Sequence, residues 1–321
     1  MSDRGHCTDG MERSGGDRSK TFSAFPYIGS KTYLAPWIVD HLRAHDNFVV
    51  PFGGAAGVML NKPRSSCEIF NDRDEHIIEF FRACREHPTE LAERVRNIPF
   101  SRAFYEECSR SFREGEGWPD DPVERAARWV YLRYASFSGR YGQRAGFATD
   151  TPRGGPQKSR IWQQMPERIV EIRNRFRGVA IECLDYSEIL GRYDDKDIDT
   201  LYYCDPPYTE AKSDYYRGPE FNHQAFVENL ANVDGYWIVS YQEPPKGLED
   251  LATTVVERTY NRSAGEQNED RTERLFLNYE PNTGPVFVDA TTSQQTLVAA
   301  TDGGNGGTPR GTSREAGTEG K

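Results

Sequence analysis

The chain has 321 residues, 36% hydrophobic and 12% aromatic, enough for one large domain or a domain carrying an insertion. It has no run of 18 apolar residues and its first twenty, MSDRGHCTDGMERSGGDRSK, have no apolar core, so neither a membrane span nor a secretory signal is expected. The formal charge of −10 argues against a polyanion partner only until its distribution is read: residues 125–177 hold 12 Arg and Lys against Asp150, Glu167 and Glu171, a balance of +9 that leaves −19 elsewhere.

In chain order, residues 1–22 are rich in Ser, Gly, Asp and Arg and read as a disordered arm. Ser30 can cap a helix from about Lys31 to Ala44, with Leu34, Trp37, Ile38 and Leu42 on its apolar side. Phe48–Val50 is a short strand running into Pro51-Phe52-Gly53-Gly54, and Glu68–Phe70 a second, followed by a helix over Glu75–Glu86. Residues 88–177 are charged and helical, broken by a Gly-rich stretch from Ser138 to Gly155. Strand character returns at Val179–Cys183, Thr200–Cys204, Tyr236–Ser240, Thr253–Glu257 and Leu275–Asn278, and from 283 the chain is a Thr-, Gly- and Ser-rich tail. The succession predicts an α/β fold with a mixed, mostly parallel sheet, residues 23–87 and 178–282 forming its two parts and 88–177 an inserted helical module. The cysteines (Cys7, Cys67, Cys84, Cys108, Cys183, Cys204) form no C-x-x-C pair, which fits reduced thiols in a cytoplasmic protein and predicts no metal site.

Three segments carry chemistry. In Leu201-Tyr202-Tyr203-Cys204-Asp205-Pro206-Pro207-Tyr208 an apolar strand stops at two prolines, which places Asp205 at a carboxyl strand end, where open α/β sheets bind ligands. Two acceptors, the Asp205 carboxylate and an outward backbone carbonyl, can take the protons of a planar amine while Tyr208 stacks on its ring. The small residues of Phe52-Gly53-Gly54-Ala55-Ala56-Gly57 allow a ligand close to the backbone. Asp72, after the next strand, suits ribose hydroxyls or, equally, a helix cap. In Tyr27-Ile28-Gly29-Ser30-Lys31, Gly29 permits a tight entry and Lys31 can set a cation near a carboxylate.

Together, and in this order, these segments resemble the D12 class of S-adenosylmethionine-dependent DNA adenine methyltransferases over roughly residues 23–280, with Leu184-Asp185 and Arg271–Asn278 as further points of likeness. The resemblance implies a Rossmann-like class I methyltransferase sheet, an inserted target-recognition module and S-adenosylmethionine as cofactor. It implies that Tyr27, Lys31, Phe52, Gly54, Asp72, Asp185 and Asp205 bind the cofactor, Lys31 near its methionine end, and that Asp205, Pro206 and Tyr208 receive a flipped-out adenine. The partner is then double-stranded DNA and the protein is read as a monomer without a metal. Val50 stands where the family has an acid and Ala56 where it has Gly, both at the cofactor site.

Within 125–177, Trp129, Tyr131, Tyr134, Phe137, Tyr141, Phe147 and Trp162 interleave with arginines. The aromatics before Phe137 are expected mostly in the core; Arg140, Arg144, Arg153 and Arg160 are the expected DNA contacts. Three alternatives stay open: methylation of the cytosine amine, an RNA or protein substrate, and a non-catalytic nucleic-acid-binding relative whose cofactor site is impaired at Val50 and Ala56.

Overall fold

The computed structural model describes residues 21–137, 146–149, 157–208, 221–264 and 267–281, with the backbone alone at 261–264 and 267–269. The chain divides into residues 1–284 and 285–321, and every described residue belongs to the first unit. Seven strands form one sheet: β1 (Asn47–Val50), β2 (Cys67–Asn71), β3 (Val179–Glu182), β4 (Thr200–Cys204), β5 (Tyr236–Tyr241), β6 (Thr254–Ala264) and β7 (Gln267–Leu277). Their order is β3-β2-β1-β4-β5-β7-β6, parallel from β3 to β5, with β7 antiparallel to both neighbours. This is the expected Rossmann-like sheet, mixed and mostly parallel.

The strands are near-continuous apolar runs because both faces are covered. Phe48, Val50, Phe70, Leu201, Tyr203 and Ile238 point to one face, where α1 (Ala35–Val39), α2 (Gly57–Asn61), α3 (Glu75–Glu86), α4 (Pro88–Asn97), α5 (Arg102–Glu114), α6 (Pro122–Ala135), α7 (Lys158–Gln163) and α8 (Met165–Arg175) supply the larger core. Val49, Ile69, Tyr202, Cys204 and Val239 face the other way, against α9 (Tyr186–Arg192) and α10 (His223–Leu230). The helix predicted over Lys31–Ala44 shrinks to Ala35–Val39. Pro36 has no N–H and its ring would clash with the carbonyl of residue 32, so the turn before it cannot be α-helical; Ser30 Oγ pairs with Thr32 Oγ1 at 2.8 Å instead of capping. The hairpin of β6 and β7 is longer than its apolar runs suggested, since its polar outer part pairs as far as Ala264 and Gln267.

The +9 segment is only in part a free basic surface. Arg125 pairs with Glu79, Arg128 with Glu124 at 2.7 Å and Arg168 with the Ser23 carbonyl at 3.0 Å. Arg175 grips the buried Glu68 with two bonds, at 2.5 and 2.7 Å, and Lys62 meets the same carboxylate at 2.8 Å. Burial pushes Lys62 down to about 8 against the pull of Glu68. A carboxylate taken out of water needs such partners; Arg125 thereby ties α6 to α3, and Arg175 ties α8 to β2. Trp129, Tyr131 and Tyr134 are core residues, as expected. Trp162 is also buried and donates to the Ile98 carbonyl at 3.0 Å, while Phe137 is 68% exposed.

Candidate active site

Because β1 to β4 run parallel, their carboxyl ends open on one edge. The cavity there is lined by Tyr27, Lys31, Phe52, Gly54, Asp72, Asp185, Asp205, Pro206 and Tyr208, so every residue predicted to bind the cofactor or the amine meets in one place. Val50 and Ala56 lie in the same wall and do not close it.

One side is built around Asn71, the fully buried last residue of β2. Its Nδ2 donates to the Pro51 carbonyl at 2.8 Å and the Leu184 carbonyl at 3.1 Å, and its Oδ1 accepts from Leu184 N at 2.9 Å. One amide thus ties together the chain leaving β1, β2 and β3. Next to it, Asp72 accepts from Gly54 N at 2.7 Å and Asp74 N at 2.8 Å. Asp74, whose side chain accepts from His76 N, is the cap of α3; Asp72 faces the cavity instead. Burial lifts the Asp72 carboxyl to about 6, against the lowering effect of its backbone bonds. Gly54 has φ +49, and a Cβ there would stand 3.3 Å from the Tyr27 ring, so glycine keeps this turn open toward Tyr27. Ala56 has φ 56, a left-handed conformation in which glycine would be free of strain. Asp185 caps α9, accepting from Ser187 N at 3.0 Å. Phe52 stacks on Tyr186 at 5.4 Å, completing an apolar wall.

The other side is ionic. Asp205 Oδ1 accepts from Lys31 Nζ at 2.7 Å and from Ser240 Oγ at 3.0 Å, whereas its Oδ2 has no hydrogen-bond partner among the described residues. Lys31 also donates to the Gly29 carbonyl at 3.1 Å, stands 3.9 Å from Glu273 and lies 4.6 Å from the centre of the Tyr208 ring. Glu273 accepts from the Tyr208 hydroxyl at 2.7 Å. Burial by itself would depress Lys31, but the charges of Asp205 and Glu273 outweigh it and hold it above its ordinary value. Burial likewise raises Glu273, with Lys31 and Tyr208 opposing. Two carboxylates around one ammonium make this corner an acceptor-rich, acidic end of the cavity.

Sequence reading missed Ser240, Glu273 and the linking role of Asn71. Glu273 had a signal: it continues the alternation of Leu275 and Leu277, so a carboxylate stands in a buried row. Ser240 lies opposite Leu275 on β5 and therefore points to the same face. Of the expected DNA contacts, Arg160 is exposed on α7 (Lys158–Gln163); Arg140, Arg144 and Arg153 lie outside the described residues. No group of three or more metal-ligating side chains occurs among the described residues, and no helix there is long and apolar enough to cross a membrane.

The family model of D12 class N6 adenine-specific DNA methyltransferases matches residues 27–266. A protein named DNA adenine methylase, from Escherichia coli (strain K12), is 28% identical over 236 residues, covering 72% of this chain and 76% of its own. The Type II methyltransferase M1.LlaDCHI of Lactococcus lactis subsp. cremoris is 27% identical over 187 residues, covering 57% of this chain and 64% of its own. Among solved structures, SMU.472 complexed with SAH aligns at a TM-score of 0.31 and 11% identity, over 79% of this chain and 54% of that one, a likeness too low to carry weight.

Proposed function

Since the chain belongs to the D12 class of N6 adenine-specific DNA methyltransferases, we propose that the cavity at the carboxyl ends of β1 to β4 binds S-adenosylmethionine and brings it against an adenine amine held by Asp205 and the Pro206 carbonyl. The donor set fits that cofactor. Asp72 can take ribose hydroxyls, the Phe52–Tyr186 wall can take an apolar ring face, and the acidic corner suits a sulfonium. When bound, S-adenosylmethionine supplies an electrophilic methyl group.

The observation that carries the reading is the asymmetry of Asp205. Lys31 and Ser240 fix its carboxylate through Oδ1, which leaves Oδ2 to an incoming amine. The lone pair of an aromatic amine is delocalised into its ring. Hydrogen bonds from its two protons to Oδ2 and to the Pro206 carbonyl favour a tetrahedral nitrogen whose lone pair is free for in-line attack. Lys31 occupies one face of the Tyr208 ring, and the base stacks on the other. Tyr208 is in turn oriented by Glu273. The adenine must leave the duplex to reach this site, at a cost of a few kcal/mol. Contacts from Arg140, Arg144, Arg153 and Arg160 to phosphates offset that cost in this reading, with residues 88–177 as the recognition module.

The test is transfer of labelled methyl groups to duplex DNA by the wild type, Asp205→Ala and Asp205→Asn, with circular dichroism as the folding control. Both variants should fold and lose transfer by at least ~100-fold, in the range of a lost preorganised electrostatic contact. Substantial transfer by a folded Asp205→Ala would refute the assignment.

A further inference from the structure

A duplex that delivers an adenine to the cavity lies across its mouth, beyond the carboxyl ends of the strands. The hairpin of β6 and β7 forms part of the surface there. Arg274 of β7 stands opposite Tyr241, the last residue of β5, so the part of the hairpin that carries Glu273 and the residues beyond it projects past that edge of the sheet. Its two faces differ. Arg258 pairs with Glu273 and Tyr260 with Arg271, and directly paired residues share a face, so these four leave the hairpin on the side from which Glu273 reaches Lys31. The acids Glu257 and Asp270 leave on the opposite side, where Glu257 meets Arg274 at 3.6 Å.

Tyr33 stands against the first of these faces. Lys31 is buried at Asp205, but the turn after it carries the chain outward, and Tyr33 is 67% exposed with its ring 6.1 Å from the centre of Tyr260. Among the described residues, the exposed aromatic side chains are Tyr33 and Phe137. A ring left mostly in water contributes little to folding through burial. Backed by Tyr260, it is a flat apolar surface held at the rim of the site. Arg258, also exposed, is two residues from Tyr260 on the same face. A ring with an arginine beside it suits a nucleotide, the ring for a base and the guanidinium for a phosphate.

We infer that Tyr33, backed by Tyr260, stacks on a nucleotide next to the flipped adenine, and that Arg258 receives a phosphate of the same strand. This rests on the proposed function, in which the adenine lies on Tyr208. A base that leaves the duplex deprives its neighbours of a stacking partner, which is part of the cost of flipping. A ring at the mouth of the cavity returns some of that stacking. One short segment then does two things: Lys31 fixes Asp205 inside the cavity, and Tyr33, two residues on, holds the strand that delivers the amine. DNA is thereby met by the hairpin and the segment before α1 as well as by the inserted module.

The experiment is methyl-transfer kinetics of the full chain on unmethylated duplex DNA, varying DNA and S-adenosylmethionine separately. For Tyr33→Ala, kcat/KM for DNA should fall on the order of 10-fold, as for loss of one base–aromatic stack. Tyr33→Phe keeps the ring and should stay within about twofold of the wild type. KM for S-adenosylmethionine should be unchanged in both, which shows that the cavity is intact. In DNA binding across a salt series, Arg258→Ala should lower the slope of log affinity against log salt by about 1. Unchanged kcat/KM for DNA in Tyr33→Ala, an equal loss in Tyr33→Phe, or a matching rise in KM for S-adenosylmethionine would overturn the stacking role. An unchanged salt slope would overturn the role of Arg258. A wild type that transfers no methyl group to adenine would instead overturn the proposed function on which both rest.

Discussion

Replacing Asn71 by Ala should both destabilise the protein and loosen the cofactor site, because one buried amide joins three strand exits. The substitution removes the bonds to the Pro51 and Leu184 carbonyls and the one from Leu184 N. At about 1 kcal/mol net for each bond, the loss is about 3 kcal/mol. The stranded backbone groups lie under a fully buried side chain, where the penalty for an unmet polar group carries the total toward ~5 kcal/mol. For a domain of this size that is a fall in melting temperature of about 6–20 °C. The assay is urea and thermal denaturation followed by circular dichroism, with S-adenosylhomocysteine titrated in parallel. Binding should weaken more than the melting shift alone explains, since Pro51 leads into the Gly54 turn and Leu184 into Asp185. Asn71→Asp is the informative partner: it would turn a carboxylate oxygen toward two carbonyls. Its folded pKa should be raised, so the stability of this variant is lost as pH rises from about 4 through that raised value. An Asn71→Ala protein within 1 kcal/mol of wild type would refute the claim that this amide holds the three exits together.

Asp72, lifted to about 6 by burial, should make cofactor affinity pH-dependent. If its ionised form takes the ribose hydroxyls, affinity falls as pH drops through 6 and binding there releases protons, whereas Asp72→Asn shows neither effect; titration in buffers of different ionisation heat reads both. Gly53→Ala would set a Cβ 2.7 Å from the Asn71 carbonyl oxygen and into the Phe70 ring, so a loss of about 2–3 kcal/mol is expected in denaturant unfolding. Glu273→Gln keeps the Tyr208 bond and removes one charge near Lys31, so it should fold, bind cofactor and lose less methyl transfer than Glu273→Ala. Arg160→Ala should reduce the slope of log affinity for duplex DNA against log salt by about 1 if that exposed residue meets a phosphate.

Much of the site was legible because motif and position coincide. The double proline after Cys204 ends β4 where predicted, and the Gly turn follows β1 as predicted. Both observations depend on local backbone preference, stiff at proline and permissive at glycine, which a sequence displays. What escaped depends on residues brought together from afar. Ser240 and Glu273 join Asp205 and Lys31 only when β5 is laid beside β4 and β7 beside β5. The charge map overstated the free basic surface for the same reason. Arg125 and Arg175 looked available for DNA until their acidic partners on other segments were placed, and Arg128 until its helical neighbour Glu124 was. The helix expected from Lys31 was overread because apolar spacing outweighed Pro36.

We propose that Asp205, fixed through one oxygen by Lys31 and Ser240, directs methyl transfer to the adenine amine. Mass spectrometry of nucleosides from DNA of cells expressing the wild type or Asp205→Ala measures this directly. The wild type should give N6-methyldeoxyadenosine, the variant none above background at equal protein level, and neither should give N4-methyldeoxycytidine. N4-methyldeoxycytidine from the wild type, or N6-methyldeoxyadenosine undiminished in Asp205→Ala, would contradict it.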